Sequence, residues 1–96
     1  MISITKEQRD FIKSVFDRYC PDADIMVFGS RMKGTHTPHS DLDITIKDKK
    51  PMEGQVLFNI GHDFEQSDLP FIVDVSDFHQ LSEEFQNHIC EEYEEL

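Results

Sequence analysis

Apolar residues recur along this chain with two periods, and the switches between them mark its elements. Phe11, Ile12, Val15, Phe16 and Tyr19 fall at helical spacing behind a capping box of Thr5 and Gln8, so a first helix is expected over Lys6–Tyr19, closed by Pro21 and Asp22. Ile25-Met26-Val27-Phe28 is a wholly apolar run that stops at Gly29-Ser30, which reads as a buried strand. From 41 to 46 the pattern alternates. Asp41, Asp43 and Thr45 share one face of a second strand, while Leu42, Ile44 and Ile46 form the other, which must be the buried one.

Between these strands a single short helix is expected, with Ser30 near its start and Gly34 at its end, followed by a loop over 35–39 that contains Pro38. Val56, Leu57, Ile60 and Phe64 suit a helix over about 53–64 packed on the sheet, although Gly54 and Gly61 weaken it. Residues 71–75 read as a third strand in which Asp74 shares a face with Ile72, opposite Phe71, Val73 and Val75; Asp77 is expected to face away from Asp74 and to end that strand. Ser82 precedes Glu83 and Glu84 as an N-cap, and Leu81, Phe85, Ile89 and Tyr93 continue a last amphipathic helix. That helix closes on Glu91, Glu92, Glu94 and Glu95, the unfavourable sign for a helix carboxyl terminus.

Length and charge narrow the picture. A chain of 96 residues is expected to be one domain, spanning 1–96, that buries roughly 60 to 65 per cent of its unfolded surface. No apolar run reaches membrane-spanning length and no secretory signal opens the chain, so a cytoplasmic protein without membrane partners is expected. Cys20 and Cys90 are too few and too far apart for a disulfide framework or a zinc site, which suits a reducing compartment. All nine Lys and Arg fall in residues 1–50 beside eight acids, whereas residues 51–96 hold twelve acids and no base. Direct nucleic-acid binding needs basic stripes and is disfavoured; the acidic half suits a basic partner or a solvated face.

The chemistry lies at 29–43. Carboxylates at i and i+2 of a strand sit on the order of 6 to 7 Å apart and repel by about 2 to 3 kcal/mol at an effective dielectric of about 20. On a solvated strand water and salt offset this. Here a Gly-Ser turn, whose backbone N–H groups suit anions, approaches the same face, and amides for phosphate beside carboxylates for a hard cation point to a metal–nucleotide site. A P-loop is the rival reading of Gly29-x-x-x-x-Gly34-Thr35. It fails because Thr35 stands where the P-loop lysine belongs, Lys33 precedes the glycine, and Asp41-x-Asp43 has no place in that motif.

The spacing Gly29-Ser30-x-x-x-Gly34-x-x-x-x-x-Ser40-Asp41-x-Asp43 resembles the signature of the DNA polymerase beta-like nucleotidyltransferase superfamily, in its minimal nucleotidyltransferase branch. The order of elements resembles that family's palm over almost the whole chain, which implies an α/β (α+β) fold with a small mixed sheet flanked by helices. The resemblance places a third carboxylate at Asp74, the only acid within 71–75; taken alone, Asp74 reads as an ordinary strand-end residue. It implies two Mg²⁺ ions, with Mn²⁺ as a substitute, about 3.5 to 4 Å apart and shared by Asp41 and Asp43. One grips ATP or another nucleoside triphosphate; the other, held also by Asp74, acidifies an acceptor hydroxyl for which Asp74 is the general base.

Gly29 and Ser30 are then expected to hold the β- and γ-phosphates, with charge added by Arg31 or Lys33, while Gly34 closes the turn and Ser40 shapes the entry to the strand. His36 and His39 flank the loop as candidate phosphate or metal contacts. The implied activity is transfer of a nucleoside monophosphate, AMP from ATP, to a hydroxyl of a protein or small molecule, as the antitoxin-like partner of a HEPN-type helical protein. Two alternatives stand beside it: a non-catalytic nucleotide- or metal-binding subunit that masks another protein, and a small-molecule transferase resembling the aminoglycoside nucleotidyltransferases. The chain is expected to end about one helix after the palm, so the acceptor is expected to be recognised by a partner chain or by a second copy in a homo-oligomer.

Overall fold

The capping box forms in the computed structural model, which describes residues 2–96. Gln8 N–H donates to Thr5 Oγ1 at 3.1 Å and Thr5 N–H donates to Gln8 Oε1 at 2.9 Å, opening helix α1 (Lys6–Tyr19). The chain continues through β1 (Asp24–Phe28), the one-turn helix α2 (Ser30–Lys33), β2 (Leu42–Lys47), α3 (Gly54–Glu65), β3 (Val73–Asp77), a 3₁₀ turn at Phe78–Gln80, α4 (Glu83–Glu91) and β4 (Glu94–Glu95). The sheet order is β3-β2-β1-β4, with β2 and β3 parallel and the other pairs antiparallel. This is the expected mixed sheet.

One sheet face carries the main core, where Ile12, Val15 and Phe16 of α1 and Ile60 and Phe64 of α3 meet Val27, Leu42, Ile44 and Ile46. Phe64 is ringed by Phe11 and Phe16, with ring centroids at 6.3 and 5.4 Å. The other face is covered over only part of its length. A smaller cluster of Met26, Phe78 and Ile89 lies there, contributed by β1, the 3₁₀ turn and α4, so Thr45 is fully buried rather than solvated. Its hydroxyl donates to the Ser76 carbonyl at 3.3 Å.

Three expectations at element boundaries are corrected. The third strand runs two residues later than expected, and Asp77 ends it as foreseen, buried on the core side, accepting from the N–H groups of Met52 at 2.8 Å and His79 at 3.1 Å. The second strand begins at Leu42, which leaves Asp41 just ahead of it. The last helix does not reach Tyr93. It stops at Glu91, and Glu94 and Glu95 pair with Val27 and Met26 while Leu96 N–H donates to Ile25 C=O at 3.0 Å, because the outer edge of β1 would otherwise leave its backbone groups unpaired. Among the described residues no helix is long and apolar enough to cross a membrane.

The two thiols are differently placed. Cys20 is buried at the end of α1, where burial first and then Asp48 and Asp17 push its pKa up to about 11, whereas Cys90 is exposed on α4. A thiol-alkylating reagent at pH 8 is therefore expected to modify one thiol per native chain, at Cys90, and two after denaturation. Rapid modification of Cys20 in the native protein would contradict this burial. Since the folded pKa of Cys20 lies above its unfolded value, its contribution to stability is complete below about pH 9 and is lost as pH rises through about 11.

Candidate active site

The site is built where β1 ends and β2 begins. Gly29 leaves β1 with φ 81°, ψ −164°, a conformation that favours glycine, and α2 follows for a single turn before Gly34 closes it in the left-handed region at φ 82°. A Cβ at Gly29 would overlap the Asp43 carboxylate oxygen, with the Asp43 Cγ only 3.2 Å away. Absence of a side chain thus lets the turn lie directly against Asp43. The first turn of a helix leaves backbone N–H groups without intrahelical partners, and the contact of Gly29 with Asp43 brings the start of α2 to that carboxylate.

Register then assembles the acids. Asp43 of β2 stands opposite Asp74 of β3 in the parallel pair, and cross-strand partners project to the same side of a sheet. Asp41, just ahead of the strand, is close enough for its charge to act on Asp43. Asp43 is half-buried, and burial first, then the charges of Asp74 and Asp41, raises its carboxyl pKa above the usual carboxylate range. The three carboxylates therefore share one electrostatic field. Among the described residues no three His, Cys, Asp or Glu side chains converge closely enough to hold a metal ion. Hard oxygen donors carrying uncompensated charge are nonetheless the chemistry that suits a divalent ion such as Mg²⁺.

The two basic residues of α2 are placed differently from each other. Arg31 is buried and its guanidinium donates to the carbonyls of Ser40 at 2.8 Å, Pro38 at 3.0 Å and Ser3 at 3.1 Å, lying 4.2 Å over the Phe71 ring. It is a structural clasp that holds the loop ahead of Asp41, and a phosphate role for Arg31 is corrected accordingly. Lys33 projects from the end of α2 and pairs with Glu92 at 3.1 Å, both exposed. Ser40 also serves the loop. Its hydroxyl accepts from Thr37 N–H at 2.9 Å, so it shapes the turn and is not committed to nucleotide.

Within the same loop, Nδ1 of His36 is buried without a hydrogen-bond partner, a polar atom left for a ligand or water to satisfy. Sequence patterns also missed Ile72. Its carbonyl oxygen accepts from Leu42 N–H at 2.8 Å, so extending the register by one residue sets it beside Asp41. Only strand pairing reveals that neighbour, because nothing in residues 71–75 states what lies across from them.

Three kinds of similarity bear on this geometry. Residues 10–96 match the family described as polymerase beta nucleotidyltransferase. A curated relative from Haemophilus influenzae, named probable protein adenylyltransferase MntA, is 33% identical over 92 residues, covering 96% of this chain and 81% of the relative. A crystal structure described as a toxin–antitoxin with AMP-PNP superposes with a TM-score of 0.76 at 20% identity, over 95% of this chain and 72% of that one. A mutant of the toxin–antitoxin pair MntA-HpeT superposes with a TM-score of 0.74 at 21% identity, over 97% of this chain and 72% of that one.

Proposed function

Since this chain belongs to the polymerase beta nucleotidyltransferase family, we propose that it transfers AMP from ATP to a hydroxyl of a partner protein and serves as the antitoxin of a toxin–antitoxin pair whose toxin is a HEPN-type helical protein. The observation that carries this reading is the in-register pairing of Asp43 with Asp74 beside the Gly29 turn. Adenosine and a protein acceptor are suggested by the name of the 33% identical relative.

Asp41, Asp43 and Asp74 would hold Mg²⁺, which when bound supplies positive charge to the phosphoryl oxygens. The turn at Gly29 and Ser30 binds the β- and γ-phosphates through backbone N–H groups, and the Ser30 hydroxyl adds a donor. Lys33, on the same turn, is near enough to exchange Glu92 for phosphate. Asp74, on the edge strand β3, would take the hydroxyl proton of the acceptor. The acceptor oxygen bonds to the α-phosphorus as the bond from that phosphorus to the bridging oxygen breaks, and pyrophosphate leaves.

The test is incubation with Mg²⁺ and ATP labelled at its α-phosphate, in the presence of the co-expressed toxin. Label on the toxin supports transfer. Nucleotide binding without label on any protein would leave the non-catalytic masking role in its place.

A further inference from the structure

The most exposed large apolar side chains among the described residues, Ile72 at 67% and Phe58 at 66%, belong to one feature. Both line a groove of about 810 Å³ between α3 and the approach to β3, with Glu65, Pro70 and His39 also on its wall. Ile72 shares a sheet face with Asp74 and stands beside Asp41, and His39 on the wall comes two residues before Asp41, so this end of the groove adjoins the start of the carboxylate row.

Its size exceeds what a lone hydroxyl compound needs and suits several side chains or a drug-sized ligand. Among the described residues the one carboxylate on its lining is Glu65, beside the imidazoles of His39 and His62. Apart from His39 the lining comes from residues 58–73, within the half of the chain that holds no Lys or Arg, and Glu65 on the wall is joined by Asp68 in the adjoining turn. An apolar trough with a carboxylate on its wall, adjoining the carboxylate row at Ile72, complements a segment carrying apolar and basic side chains.

We propose that this groove docks the acceptor of the transfer reaction: a polypeptide segment that seats an apolar side chain between Phe58 and Ile72, turns Lys or Arg toward Glu65, and presents its hydroxyl to Asp74. The inference rests on the nucleotidyl-transfer reading. In the step it serves, the segment's oxygen bonds to the α-phosphorus, pyrophosphate departs with the bridging oxygen, and the hydroxyl proton passes to Asp74.

The experiment uses synthetic peptides with one Tyr or Ser flanked by Leu and Lys, the same peptides with Gln and Glu in the flanks, and free tyrosine, each with Mg²⁺ and α-labelled ATP. The Leu/Lys peptides are expected to be labelled about tenfold faster than the others, and Phe58→Ser or Ile72→Gln to remove that advantage. Binding of α,β-methylene ATP is measured in parallel and is expected to be unchanged in Phe58→Ser. Equal labelling of all acceptors, unchanged rates in the variants, or no peptide labelled while nucleotide still binds would overturn the groove assignment alone. Failure of the parent to bind the nucleotide with Mg²⁺ would overturn the transfer reading beneath it.

Discussion

Asp43→Asn is expected to lower AMP transfer by at least about a hundredfold, the scale of removing one preorganised charge contact from a transition state, while making the nucleotide-free protein more stable at neutral pH. The two effects have one cause. Asp43 is half-buried between Asp74 and Asp41, and its raised pKa means that its ionised form is disfavoured in the folded state. A group with a folded pKa above its unfolded value contributes stability below the unfolded pKa and loses that contribution as pH rises through the folded one. Thermal melts from acid to neutral pH should therefore show the parent and the Asn variant alike at the acid end and the variant ahead above the Asp43 transition. A variant that is less stable at neutral pH and fully active would mark Asp43 as a structural residue.

Arg31→Ala is expected to cost about 3 kcal/mol, because it leaves three loop and terminal carbonyls without their charged donor and uncovers Phe71. In a domain of this size that lowers the melting temperature by more than about 10 °C. Arg31→Lys should recover little, since an ammonium cannot reach three carbonyls in a planar fork and stack on a ring together. Transfer activity in the remaining folded protein should also fall, because the clasp holds the loop from which Asp41 emerges. A melting temperature within a few degrees of the parent would show that the loop is held by other means.

Much of this arrangement is legible in the sequence because it is local. Helical periodicity with a capping box defines α1 to the residue, and two glycines bracket a one-turn helix. Period-2 alternation orients Asp43. What the sequence conceals depends on partners across space. Thr45 alternates like a solvated residue and is buried because the 3₁₀ turn and α4 fold over it. Glu94 and Glu95 carry no strand signature, and the free edge of β1 recruits them. Arg31 has the composition of a phosphate ligand and the geometry of a clasp, a difference set by carbonyls at Ser3, Pro38 and Ser40 that no spacing rule connects.

The proposed function requires that Asp41, Asp43 and Asp74, beside the Gly29 turn, bind a nucleoside triphosphate together with a divalent ion. Titration calorimetry with α,β-methylene ATP, with and without Mg²⁺, tests it on the parent and on the Asp41→Asn/Asp43→Asn variant. Saturable binding that requires Mg²⁺ in the parent and is lost in the variant is the expected result. Binding of equal strength in the two proteins, or in the parent without Mg²⁺, would contradict it.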